Sequence, residues 1–371
     1  MDEVIKKIFT NNLGVKRTEH VVVFTDIMAP DETVTADEKS RRHDLRQIAL
    51  SVAEAGKAFC SITYLEFLSQ KGHGKEPPEE LWAACLGKTA TARLKDSGTL
   101  EKILAKSANA KDLKTAEAIV REDATSPDCV IALSNFSTSH TRFRDLITRL
   151  RGARYASMPL FERSMLSGVM TADWQEVKDR TLKLKQRLSG KDSVYITTPY
   201  GTSISFSIKG RPVMADTGIL IEPGSFGNLP AGEAFLAPVE GSAEGTLLLE
   251  WAPTRRLKRP VEVTIKNGNA VDISGMEPFA DELKRQIEKT PLAANVAELG
   301  IGTNDKAARP DNILESEKIL GTVHIALGDN SSFGGKVSVP FHEDFIFFRP
   351  TLVVIKGEEK IEVLVDGRPM F

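Results

Sequence analysis

Five residues of this chain have the types and settings from which a metal centre could be built: Glu233, Glu298, His324, His342 and Asp344. His342-Glu343-Asp344 leads directly into Phe345-Ile346-Phe347-Phe348. On an extended strand, residues i and i+2 project to one face, so His342 and Asp344 can converge on a single ion while Glu343 points the other way. An imidazole beside a carboxylate is borderline-hard ligation, suited to zinc, cobalt, manganese or iron(II). The same triplet alone is also what a surface strand with polar residues looks like. His324 sits in the apolar run of residues 321–328, where an unpaired imidazole is costly to bury. Either an ion or a backbone carbonyl could satisfy it. Glu298 and Glu233 lie in comparably apolar, glycine-flanked runs, Asn295-Val296-Ala297-Glu298-Leu299-Gly300 and Leu229-Pro230-Ala231-Gly232-Glu233. Each could instead be a solvated turn carboxylate, the usual fate of a lone glutamate.

The elements that must position these residues change character along the chain. In the first half, residues 20–24, 60–65 and 129–133 read as short buried strands, being apolar and partly β-branched. Between and after them, residues 44–59, 113–122 and 141–150 carry apolar residues at helical spacing, and Pro77-Pro78 opens a further helix. Such alternation predicts an α/β N-terminal domain with a mostly parallel sheet. Residues 171–188 read as a charged helix ending at Ser189-Gly190, a bridge between domains, and the boundary is drawn between residues 1–190 and 191–371. Beyond it, residues 194–198, 203–208, 245–251, 261–265, 323–327, 345–348, 352–355 and 361–367 all read as strands. Only residues 280–288 and 292–299 invite helical readings. The second half is therefore expected to be a strand-rich α+β domain, and it carries all five candidate ligands.

Composition bounds the partners. With 371 residues, 49 basic against 51 acidic and a net charge of −2, the chain has no cationic excess with which to neutralise phosphates, so no nucleic-acid partner is expected. The basic run Arg255-Arg256-Leu257-Lys258-Arg259-Pro260 reads as a solvated loop. Three widely spaced cysteines cannot form a disulfide framework, which suits a reducing cytoplasm. Nowhere do about 18 apolar residues run together, so no membrane span is expected. The start lacks the long apolar run of a signal peptide. Ser137-Thr138-Ser139-His140 reads as a helix N-cap after a strand, and Cys129 as a small core residue.

Taken in order, Leu229-Pro230-Ala231-Gly232-Glu233, Ala297-Glu298-Leu299-Gly300, His324-Ile325-Ala326-Leu327-Gly328 and His342-x-Asp344 resemble the motifs of the thermophilic-type metalloaminopeptidases, the aminopeptidase T, aminopeptidase S and PepS group. The N-terminal half is similar to them at Ser137-Thr138-Ser139-His140-Thr141 and at residues 152–159. The resemblance implies an α/β domain followed by a β-rich metal-binding domain, in a homodimer. It implies Glu233 and Glu298 as carboxylate ligands, one able to bridge, with His324, His342 and Asp344 completing a set for two divalent ions (zinc, cobalt or manganese). It further implies a peptide substrate, from which such an enzyme releases N-terminal residues by polarising the scissile carbonyl and activating a water. One carboxylate must carry the proton to the leaving amine; the motif does not single one out, and Glu298 is the expected catalytic residue.

One departure bears on that reading. The aminopeptidases carry a tyrosine shortly after the His324 motif, and the matching position here is Ser331; no tyrosine follows Tyr200. The ring-cleaving dihydroxypyridine dioxygenases resemble the same peptidases and hold one iron(II) through two histidines and an aspartate, a set that His324, His342 and Asp344 would supply. Retention of both Glu233 and Glu298 favours the dinuclear aminopeptidase. The iron(II) dioxygenase is the alternative, and a non-catalytic metal-binding homologue is the third.

Overall fold

The computed structural model describes residues 2–371. The chain forms two compact units. The first runs to Thr171 and takes back Gly218–Pro230; the second comprises Ala172–Thr217 and Ala231–Phe371. The sequence reading drew a single boundary at 190/191, whereas this division places the helix Trp174–Leu188 with the second unit. That helix buries Val177, Thr181, Leu184 and Leu188, and the Thr181 hydroxyl lies 2.6 Å from that of Thr303. It is packed within the unit and is not a free-standing bridge.

In the first unit a five-stranded, all-parallel sheet has the spatial order Ser61–Leu68, His20–Ile27, Cys129–Ala132, Arg154–Ser157, Phe226–Asn228. Val21, Val22, Val23 and Phe24 are buried on both faces of the sheet, as their unbroken apolar run requires. The helix Ala36–Gly56 begins eight residues before the expected stretch, because Thr35 caps it by accepting from the Glu38 amide at 3.2 Å. Near Ser137–His140 the actual cap is the next residue, Thr141, which accepts from the Arg144 amide.

The second unit is built of two antiparallel sheets. The larger has eight strands, in the order Asn269–Ser274, Arg255–Lys266, Glu244–Ala252, Ser203–Ser207, Ser193–Thr197, Thr351–Lys356, Glu359–Val365, Arg368–Pro369. The smaller has five: His342–Phe347, Val323–Gly328, Val296–Gly302, Glu233–Leu236 and Met214–Asp216. Val194, Ile196, Leu247 and Leu249 from the larger sheet share one core with Leu299, Ile301, Val323 and Ile325 from the smaller. The α/β plus strand-rich architecture is thus the one expected.

Two local expectations fail here. Residues 292–299 are not a helix: a 3-10 turn over Pro291–Ala294 gives way to the central strand Val296–Gly302, every residue of which is buried. Burial on both faces of a sheet produces a continuous apolar run that periodicity cannot distinguish from a buried helix. The basic run 255–260 is also not a loop. It begins the long strand Arg255–Lys266 with Leu257 inward, while its charged side chains stay solvated. Among the described residues, no helix is long and apolar enough to cross a membrane.

Candidate metal centre

Strand register brings the five candidate residues to one face of the smaller sheet. Glu233 pairs with Gly302, Gly300 with His324, Glu298 with Ala326, Ala326 with Asp344, and Gly328 with His342. Because side chains alternate, Glu233, Glu298, His324, His342 and Asp344 all project to the same side. The residues between them, Ala234, Leu299, Ile325 and Phe345, point into the core. Gly300, Gly302, Ala326 and Gly328 share the ligand-bearing face and leave it nearly bare, which makes room for the long carboxylates and imidazoles.

The functional groups converge in two sets that share Glu298: Glu233 with Glu298 and His324, and Glu298 with His342 and Asp344. Within each set the possible ligand atoms lie within 4.8 Å of one another. His324 Nε2 stands 3.2 Å from Glu233 Oε2 and 3.5 Å from Glu298 Oε1. His342 Nε2 is 3.4 Å from Glu298 Oε2 and 3.4 Å from Asp344 Oδ2. The two histidines therefore stand at opposite oxygens of one carboxylate. The Glu233 set is sealed, with His324 only 1% exposed, whereas the side chain of His342 is 31% exposed and opens the second set to solvent.

Three observations fit this donor set to a divalent cation. His342 Nδ1 donates to the Asp329 carbonyl at 2.7 Å, which turns Nε2 toward the carboxylates, the usual support of a metal-binding imidazole. Glu233 Oε2, His324 Nδ1 and Asp344 Oδ1 are buried without a hydrogen bond, an arrangement that is costly unless something else satisfies them. The charges also need a cation. Burial pushes His324 and His342 down, but Glu233 and Glu298 beside the first, and Asp344 and Glu298 beside the second, hold both well above the ordinary imidazole range. Burial likewise pushes Glu298 and Asp344 up, and the neighbouring histidines more than offset it, holding both carboxyls below their usual range. Once the imidazoles give up their protons, as a ligand imidazole must, the carboxylates need a cation in their place.

Sequence reasoning missed Lys318. Its ammonium is fully buried and donates to Glu233 Oε1 at 2.6 Å and to Glu317 Oε2 at 2.7 Å. In the run Glu315-Ser316-Glu317-Lys318 it looks like ordinary surface charge; only the apolar Ile319-Leu320 after it hints otherwise. Asn330 pins the residues after Asp329: fully buried, it donates to Glu240 Oε1 at 3.1 Å and accepts from the Val337 amide at 2.9 Å. Ser331, at the peptidase tyrosine position, is exposed and its hydroxyl donates to the Asp329 carboxylate. Phe333 sets its ring edge-on to His342, with centroids 6.0 Å apart.

Comparison with known proteins adds to this geometry. The family model described as NicX, 2,5-dihydroxypyridine 5,6-dioxygenase, matches residues 105–368. A 2,5-dihydroxypyridine 5,6-dioxygenase of Pseudomonas putida is 25% identical over 207 residues, which is 50% of this chain and 59% of that relative, so the match spans less than two thirds of the relative's length. The solved structure of a dihydroxypyridine dioxygenase from Pseudomonas putida superposes with a TM-score of 0.66 at 18% identity, covering 100% of this chain and 96% of the other. Wild-type AmpT from Thermus thermophilus superposes with a TM-score of 0.55 at 15% identity, covering 100% and 98%. At these identities the two structures speak to the fold.

These matches overturn the expectation of an aminopeptidase acting on peptides; the likeness to AmpT is one of fold. The site gives a physical reason in the same direction. No phenol stands where Ser331 lies, and Glu233, expected to ligate one of two metals, has one oxygen committed to the Lys318 ammonium.

Proposed function

Because this chain belongs to the 2,5-dihydroxypyridine 5,6-dioxygenase family, we propose that it is an iron(II)-dependent dioxygenase that opens the ring of a dihydroxylated pyridine. The observation that carries the reading is the convergence of Glu298, His342 and Asp344 on a common point beside solvent, with His342 aimed there by the Asp329 carbonyl. These three residues would hold the ion, as one imidazole and two carboxylates; His324, expected with His342 and Asp344, instead groups with Glu233 and Glu298. Iron(II), when bound, supplies the one-electron chemistry that lets dioxygen react with an electron-rich ring. Three protein ligands leave open positions for a substrate and for oxygen.

The chain's own residues have distinct tasks in this reading. His324 stands at the inner oxygen of Glu298 and fixes that carboxylate. Phe333, edge-on to His342, offers a flat apolar surface at the open side, suited to an aromatic ring. The sealed side around Glu233 and Lys318 keeps water from the inner half of the centre.

The test is oxygen consumption by full-length protein loaded anaerobically with iron(II) and mixed with 2,5-dihydroxypyridine. The expected result is about one dioxygen consumed per ring lost from the ultraviolet spectrum. If iron-loaded protein consumes no oxygen with any dihydroxypyridine isomer, the reading fails.

A further inference from the structure

We propose that Lys318 is a built-in cation standing in for a second metal ion, so that this centre takes a single divalent ion, at Glu298, His342 and Asp344. The inference rests on the metal-centre reading above and goes beyond it, because the residues alone would furnish two overlapping sets.

The position of the ammonium is fixed by the backbone. The Lys318 amide donates to the Glu315 carbonyl at 3.0 Å, and its own carbonyl accepts from the Asn304 amide at 2.9 Å. From there the side chain, with none of its surface exposed, reaches Glu233 Oε1 at 2.6 Å. A buried ammonium persists only where it is paired, and removing its partner leaves an uncompensated charge. Burial pushes Lys318 down, but the Glu233 and Glu317 carboxylates outweigh this and hold it above the ordinary lysine range.

An ion in the Glu233, Glu298 and His324 set would have to share Glu233 with this like charge. In a water-poor setting the repulsion is poorly screened. Glu317, the lysine's other partner at 2.7 Å, is pushed up by burial, with Lys318 opposing. The Glu298, His342 and Asp344 set meets no ammonium and is open to solvent.

The experiment counts ions. Full-length protein is stripped with chelator, dialysed against excess manganese(II), and analysed for metal per chain. Wild type is expected to hold about one ion and Lys318→Met about two, the second binding more weakly. Two ions on wild type, or one on folded Lys318→Met, overturns the inference while leaving a metal centre in place. No ion on wild type removes the metal-centre reading itself, and the inference with it. If Lys318→Met does not fold, the double variant Lys318→Met/Glu233→Gln, which deletes both members of the pair, decides the matter. One ion held at wild-type affinity supports the inference; a loss of more than about tenfold overturns it, by showing that Glu233 is a ligand in its own right.

Discussion

Gly300 lies directly across from His324, and a Cβ at position 300 would stand 1.9 Å from the imidazole Nε2. The ring packs over bare backbone, so this glycine is needed for space. Gly300→Ala must push the imidazole away from Glu298, and overpacking of this kind costs about 1–3 kcal/mol. Metal affinity is expected to fall about 10–100-fold, the loss usual when the surroundings of a site are disturbed. Metal titration alongside circular dichroism checks this. A folded variant with wild-type affinity would show that the position of His324 does not matter to the centre.

Neighbouring residues on one strand should behave in opposite ways. Asp344 faces the centre and Glu343 the other side of the sheet, where it pairs with Leu327 in register. Asp344→Asn keeps the shape and removes a ligand charge, so metal content should drop sharply. The metal-free fold should lose some stability, because His342 and His324 hold the Asp344 carboxyl below its usual range and the anion therefore favours the folded state. Glu343→Gln should leave metal content unchanged. Equal losses in both variants, by elemental analysis, would contradict the register.

Much of this was legible in the residues. The i, i+2 spacing of His342 and Asp344 places them on one face, and the unbroken apolar runs around Val22 and Ile131 are what a parallel sheet buried on both faces requires. Other features left no local trace. Residues 292–299 have an apolar spacing that suits a helix as well as a strand, and only the pairing with Val323–Gly328 decides between them. Lys318 is inward because of the path of the chain beside Asn304, a tertiary fact. The reaction was harder to read than the metal. Carboxylates and imidazoles in this order suit both hydrolysis and oxygen chemistry, and the difference lies in surrounding groups such as Ser331 and Lys318.

Proton competition should govern metal loading. Without metal, His324 and His342 are held above the ordinary imidazole range by their carboxylates, so an incoming ion must displace protons. Apparent affinity is expected to rise with pH and to be weak near pH 5. Stability of the stripped protein should move the other way. A raised histidine contributes stability that is complete below its unfolded value, about 6.5, and is lost as pH rises through the folded one. Melting temperatures of stripped and loaded protein should therefore diverge from about pH 6.5 upward. Parallel curves across that window would show that these histidines do not exchange protons for metal.

Asn330 joins the loop to the centre. It is fully buried, bonded to Glu240 and to the Val337 amide, and so close under Gly335 that a Cβ there would lie 1.9 Å from its side-chain Cγ. The preceding carbonyl, that of Asp329, orients His342. Asn330→Ala leaves the Val337 amide without its partner, at a cost of about 1–3 kcal/mol, and frees the carbonyl that aims the imidazole. Two losses should therefore appear together: a lower midpoint in urea unfolding of the stripped protein, and weaker metal binding than wild type under conditions where both are folded. If stability falls but metal affinity does not, the loop is a structural clasp and His342 is held by the sheet alone.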